Sequence, residues 1–173
     1  MIALGPENSK SAMQAVETMH SSLCLQTLPD WEWVLGGSAA FMEALNAWST
    51  QDGRVRLLHE TPESHSPWDH LNAAVRQARG EWVLLLDDQT HLRNHALEAA
   101  LERCQAQPAA RAIYADDDFL DAQGTRSTPS FRCDANMDLL SSTDYLGPFL
   151  MLRREDLIAI GGWNASLPAG HRH

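Results

Sequence analysis

Apolar residues recur along this chain in two rhythms. Short unbroken or nearly unbroken runs stand at Met1–Leu4, Trp31–Leu35, Arg54–Leu58, Trp82–Leu86, Arg111–Ala115 and Phe149–Leu152. Each is too short for a helix of ordinary length, and most are closed by turn formers or acids, which predicts strands. Between the runs, apolar positions repeat every three or four residues. Ala12, Val16, Met19 and Leu23 predict a helix over Ser11–Gln26, broken by Pro29-Asp30. Phe41, Leu45 and Trp48 mark a second helix. Leu71, Ala74, Val75 and Ala78 mark a third, stopped at Gly80, and Leu97, Ala100, Leu101 and Cys104 a fourth, closed by Pro108. Arg154–Ile160 predicts a short helix ending at Gly161-Gly162. The segment Glu60–Pro67 reads as loop, and the polar stretch Asp121–Met137 as turn-rich connection.

Strands alternating with helices predict an α/β fold, a mostly parallel mixed sheet with helices on both faces. Right-handed crossovers then bring the strand C-termini to one edge, where ligands of such sheets bind. That edge gathers Gly36-Gly37, Asp87-Asp88 and Asp116-Asp117-Asp118. The central signal is Trp82–Leu86, whose five apolar residues stop at two carboxylates. This run reads as a strand buried on both faces, with Asp87 at its C-terminal end facing a cleft. Two carboxylates there can hold a divalent cation, and the cation a diphosphate. They can equally be a turn and a helix cap, and the pattern alone leaves both readings open.

The chain has 173 residues and is 44% hydrophobic, enough for one domain over residues 1–173 with its own core. Its 23 acids against 13 bases give a net charge of -10, and Lys10 is the one lysine. That balance excludes broad binding to a nucleic-acid backbone but not a nucleotide held through a metal ion. No apolar stretch is long enough to span a bilayer and no secretory signal opens the sequence. Cys24, Cys104 and Cys133 are odd in number and make no closely spaced cysteine pair, so they are expected to be reduced and the chain cytoplasmic.

Several smaller features carry a chemical and a plain reading side by side. His91 and His95 stand four residues apart with Asp87 a turn before, a spacing that could hold zinc but also suits an exposed helix start. Trp31, Trp33, Trp82 and Trp163 could stack on a sugar or base, though packing within the fold is the simpler role. Trp68, His65 and His70 are expected in a loop. His171 and His173 are expected at a frayed end.

Five segments in order resemble family 2 glycosyltransferases of the GT-A (Rossmann-like) fold, particularly bacterial members linked to surface polysaccharides. Ser22–Glu32 is similar to that family's "SLLAQTYPDWE" segment, and Asn72–Trp82 to its approach to the metal strand. Tyr114–Asp121 resembles "YSDEDKID", and Phe131–Asp134 with Asp138–Leu140 resembles "FKPDWSPDLL". Gly161-Gly162-Trp163 resembles "GGF". The resemblance implies transfer of a sugar from a nucleotide diphosphate-sugar to an acceptor hydroxyl on a glycan or lipid-linked acceptor. It implies Mg²⁺ or Mn²⁺ held by Asp87 and Asp88 as a D-x-D-type motif. Gly36, Ser38 and Gln89 would contact the donor, and Asp116 and Asp118 would line the sugar and acceptor side.

The chain departs from that pattern at three places. The family's "VDDGS" turn is Leu35-Gly36-Gly37-Ser38, without its acids. Gln89 falls where the metal turn carries an acid. No catalytic base is found before Gly170-His171-Arg172-His173. The chain is therefore expected to be either a piece of a longer transferase or a transferase-like module without its base. By itself it is expected to bind a nucleotide rather than complete transfer. The alternative reading is a non-catalytic binding or assembly module of the same fold.

Overall fold

The computed structural model describes residues 2–4, 10–36, 39–58, 67–86 and 90–164. In chain order the elements are β1 (Ile2–Leu4), α1 (Lys10–Cys24), β2 (Trp33–Gly36), α2 (Ala39–Gln51), β3 (Val55–Leu57), α3 (Pro67–Gln77) and β4 (Trp82–Leu86). There follow α4 (Ala96–Ala106), β5 (Ala112–Tyr114), β6 (Asp117–Leu120), β7 (Arg126–Ser130), α5 (Met137–Leu140), β8 (Leu150–Arg153) and α6 (Arg154–Ala159).

Six strands form one sheet in the order β3-β2-β1-β4-β8-β5. The first four run parallel, with Ile2 opposite Val34 and Leu85, and Val34 opposite Arg56. Strand β8 enters antiparallel between β4 and β5, pairing Leu84 and Ile113 with Met151. The sheet is thus mixed and mostly parallel, as the alternation of runs and stripes predicts. β4 lies inside it, and the apolar run Trp82–Leu86 coincides with the strand.

Alternate residues of each strand feed two cores. On one face Trp33, Leu35, Leu84 and Leu86 pack with Val16, Met19 and Leu23 of α1 and with Leu97, Ala100 and Cys104 of α4. On the other, Val34 and Val83 pack with Trp68, Leu71, Ala74 and Val75 of α3 and Leu157 of α6. Helix α3 starts at Pro67, whose missing N–H would have had no partner in a first turn. Asp69 in the first turn and Arg76 in the last suit the helix dipole. Trp68 and His70 therefore lie in a helix, not in the expected loop, and Trp68 is buried. The stripe at Leu71, Ala74 and Val75 begins one turn after the real helix start, so periodicity alone hid that first turn.

Helix α3 also ends before Gly80. Ala78 N–H makes the last helical bond, to Ala74 C=O at 2.8 Å. The chain is then caught by Glu32, whose Oε1 accepts from the N–H groups of Arg79 and Gly80 and whose Oε2 accepts from Arg56 Nη1 at 2.7 Å. Burial alone would raise the Glu32 pKa, but these donors outweigh it and hold it below the ordinary value.

The stretch Asp121–Met137 is not simple connection. It holds β7, which pairs antiparallel with β6 as a separate two-stranded sheet. β7 is almost entirely exposed, so no apolar alternation announced it. Its turn is made by Asp121, whose Oδ1 accepts from Gln123 N–H at 2.9 Å and Thr125 N–H at 2.8 Å, with Gly124 at φ +79°.

Candidate functional site

The parallel strands end together. Leu4, Gly36, Leu57 and Leu86 close β1 to β4 on one edge, and Tyr114 closes β5, parallel to β4, on the same edge. Asp87, Asp88, Gln89, Gly37 and Ser38 lie outside the described residues. Gly36 is buried at the end of β2, and a Cβ there would meet Leu58 Cδ1 at 2.3 Å. Close packing against Leu58 therefore disfavours a side chain at this position. His70 packs nearby, its Cβ 3.8 Å from that same point, and its buried Nδ1 has no hydrogen-bond partner among the described residues.

A cleft of about 880 Å³ opens where the chain resumes after β4. Thr90 to Arg93 and the first turns of α4 form one wall. Tyr114 to Leu120, Arg126 and Pro129 form the other, and Phe149 lies between. The size is that of a small-molecule site. All three carboxylates of the Asp116 run line it, but they stand in different surroundings. Asp117 is paired with the Arg132 guanidinium, Nε at 2.9 Å. Asp118 lies between Arg126 Nη1 at 2.6 Å and Arg93 Nη2 at 3.2 Å. The ion pairs of this run fall on those two. Asp116 is exposed and is held instead by a backbone donor, Arg132 N–H at 2.7 Å from Oδ1.

The arrangement makes chemical sense. Asp117 and Asp118 are each held by guanidinium, so they act first as anchors of the wall. Asp118 fixes Arg93 and Arg126 at the rim, where cations suit an anionic ligand. Asp116, oriented by a single N–H, keeps carboxylate capacity towards the cleft. Tyr114 donates from Oη to Cys133 C=O at 2.7 Å and meets Tyr145 edge-on, centroids 6.1 Å apart. Burial, then Tyr145, raise its pKa, so it stays a neutral donor. None of the three arginines was singled out in the sequence, because Arg93 and Arg132 lie 25 and 15 residues from their acids.

Two other expectations meet a definite placement. His91 and His95 are both exposed, and His95 stands at the N-cap of α4 without a side-chain cap bond. Among the described residues they join no group of converging ligands; the group that does converge is His20, Cys24 and Asp52. Trp31 and Trp33 are buried in the first core, Trp82 packs against that core, and Trp163 against the second. Asn72 and Gly161-Gly162-Trp163, read separately in the sequence, prove to be partners. Asn72 Nδ2 donates to Trp163 C=O and Asn72 Oδ1 accepts from Trp163 N–H, both at 2.8 Å. Gly162 sits at φ +82°, and a Cβ there would fall 2.2 Å from Asn72 Oδ1.

A mixed sheet of this order, with helices on both faces and a cleft at the parallel strands' C-terminal edge, is the GT-A class of nucleotide-sugar folds. Residues 13–161 match the model of the glycosyl transferase family 2, and the chain belongs to that family. It is 34% identical over 157 residues to the O-antigen biosynthesis protein RfbC of Myxococcus xanthus, an alignment covering 88% of this chain and 12% of that protein. Among solved structures, S. aureus TarS 1-349 superposes with a TM-score of 0.70 at 18% identity, over 98% of this chain and 51% of that one. TarS has also been crystallised with UDP and with UDP-GlcNAc. The mannosyltransferase PcManGT of Pyrobaculum calidifontis, in complex with GDP-Man and Mn²⁺, gives a TM-score of 0.64 at 17% identity, over 97% of this chain and 48% of that one. The chain thus spans about half the length of these solved chains and a small part of the O-antigen protein.

Proposed function

We propose that this chain is the donor-binding portion of a glycosyltransferase. It would move a sugar from a nucleotide diphosphate-sugar to an acceptor hydroxyl in polysaccharide or glycoconjugate synthesis. The observation that carries the reading is the cleft of about 880 Å³ at the strand edge, walled by Thr90 to Arg93 on one side and by Asp116 on the other. Family membership and neighbours holding UDP, UDP-GlcNAc and GDP-Man support it. The alternative of a module without donor chemistry finds no comparable support.

In this reading Asp87 and Asp88 hold a divalent cation. Their all-oxygen donor set suits Mg²⁺ or Mn²⁺, and such an ion supplies charge neutralisation for a departing diphosphate. Gly36, Ser38 and Gln89 would contact the nucleotide, and Gln89 would bring an oxygen without charge. Asp116 serves the sugar and acceptor side. Asp118 positions Arg93 and Arg126, which attract the anionic donor to the rim. The acceptor is a glycan or lipid-linked hydroxyl. A cytoplasmic setting accords with three free cysteines, and no helix among the described residues is long and apolar enough to cross a membrane.

The test is a thermal-shift panel of UDP, UDP-GlcNAc and GDP-Man with and without Mn²⁺, on wild type and Asp87→Ala. A ligand at a hundred times its Kd stabilises the native state by about 2.7 kcal/mol. The expected result is a metal-dependent rise in Tm with at least one nucleotide, lost in Asp87→Ala. No rise with any nucleotide, or a rise untouched by Asp87→Ala, would overturn the assignment.

A further inference from the structure

A second convergence of ligand groups stands beside the N-terminal ends of β2 and β3, among residues that do not line the cleft. His20 and Cys24 lie one helical turn apart at the end of α1, and Asp52 lies in the turn between α2 and β3. His20 Nε2 is 3.4 Å from Asp52 Oδ2. Cys24 Sγ is 3.5 Å from His20 Nε2 and 4.0 Å from Asp52 Oδ2. The geometry points to a binding site for a single zinc-class divalent cation, held by one nitrogen, one sulfur and one carboxylate oxygen.

The separations are those a tetrahedral ion imposes. Zinc bonds of about 2.3 Å to sulfur and about 2.0–2.2 Å to nitrogen and oxygen place neighbouring ligand atoms roughly 3.4–3.6 Å apart. Two of the three edges match as they stand. The third, sulfur to oxygen, is longer by roughly 0.4 Å on that scale, within reach of a small rotation of the exposed Cys24 side chain.

Hydrogen bonding accounts poorly for the same arrangement. Both Sγ and Oδ2 flank the same ring nitrogen, and 3.4 Å to Oδ2 is long for a good nitrogen–oxygen bond. One N–H can point at only one of them, and a relay would need the other nitrogen to face the acid. An ion on the Nε2 lone pair sits between all three atoms. Its mixed soft and borderline donors select zinc over Mg²⁺ or Mn²⁺, so the site is chemically distinct from Asp87-Asp88.

The surroundings are built to hold these ligands. Asp52 Oδ1 accepts from Arg54 backbone N–H and from Arg54 Nε, both at 3.0 Å, which fixes the carboxylate plane. The Arg54 guanidinium rests on the Trp31 ring at 3.9 Å. The His20 ring packs on Trp48, centroids 4.9 Å apart. Arg54 also opposes the ion, because Nη2 reaches Oδ2 at 2.9 Å and lies 3.8 Å from Cys24 Sγ. Its charge sets the affinity below that of an uncrowded site. Bound metal would tie the end of α1 to the start of β3, two segments 28 residues apart in sequence.

Cobalt titration of the purified chain tests this directly. Co²⁺ should give a thiolate-to-metal charge-transfer band and tetrahedral visible bands, saturating at one equivalent and erased by Zn²⁺. Cys24→Ser should lose the charge-transfer band and His20→Gln should weaken binding, while Cys133→Ser should match wild type. Arg54→Met should tighten Co²⁺ by about tenfold, since it removes a positive charge a few ångströms from the ion. Circular dichroism of each variant confirms that it is folded. No charge-transfer band in the wild type, or a band that persists in folded Cys24→Ser, would overturn the site.

Discussion

The parallel half of the large sheet and the β6–β7 hairpin are held by different forces. On the β3-β2-β1-β4 side, Trp33, Val34, Leu35, Val83 and Leu86 are all at most 1% exposed. On the β5 side, the β6–β7 hairpin is largely exposed, and its surroundings are tied by Arg126–Asp118, Arg93–Asp118 and Arg132–Asp117. Full burial of a large apolar side chain contributes about 1.5–3 kcal/mol, whereas an exposed ion pair contributes about 0–1 kcal/mol. Several such pairs therefore weigh no more than one or two core leucines. The hairpin wall of the cleft can open locally, whereas the parallel half of the sheet moves only if the protein unfolds. A site that must admit a donor and an acceptor is well served by that inequality.

The comparison can be broken most easily in the core. Leu71→Ala, at a fully buried position in α3, should cost about 2–5 kcal/mol and lower Tm for the whole domain. A loss under about 1 kcal/mol in urea unfolding would mean that this face is not packed as described.

Asn72→Ala should come next, at about 1–3 kcal/mol, because it strands both Trp163 N–H and Trp163 C=O in a half-buried place. Hydrogen exchange at Trp163 should accelerate along with the loss; an unchanged amide would show that the clamp contributes nothing.

Arg132→Gln sharpens the contrast. It removes the Asp117 pair and should alter global stability by about 1 kcal/mol or less, while exchange in Asp117–Ser130 rises. A global loss as large as that of Leu71→Ala would erase the distinction between the walls.

The smallest effect concerns acid. The Arg54 side chain holds Asp52 well below the usual carboxylate range, and Glu32 is also lowered. Both folded values lie below the unfolded ones, near 4. Their contribution is therefore complete above that pH and is lost as pH falls through the folded values. Tm should decline below about pH 4, and Asp52→Asn should flatten part of that decline. An identical slope in wild type and variant would deny Asp52 this role.

How far the sequence could be read follows the same division. β1 to β4 and their helices announce themselves because continuous apolar runs and regular stripes are what a doubly covered parallel sheet needs. β6, β7 and α5 do not, because a hairpin held by charge and a helix capped by Asn136 bury almost nothing. The pair Asp121 and Gly124 was the legible signal of that hairpin's turn. At the cleft, the acids that follow β5, Asp116 to Asp118, were readable by position. Their arginine partners were not, because nothing local ties Arg132 to Asp117. His20 and Cys24 show helical spacing, but Asp52 reaches them only through the fold.

The antiparallel entry of β8 has a consequence for how the chain comes to be folded at all. Until residues 150–153 arrive, β4 has β1 on one side and a bare edge on the other, and β5 has no place in the sheet. During synthesis, the interval between the emergence of Leu86 and that of Leu150 leaves an unsatisfied edge on the most apolar strand. The closing contact spans about 70 residues, a long-range pairing of the kind that slows folding. The vulnerable interval for aggregation is thus written into the topology, and it ends with four residues, Leu150 to Arg153.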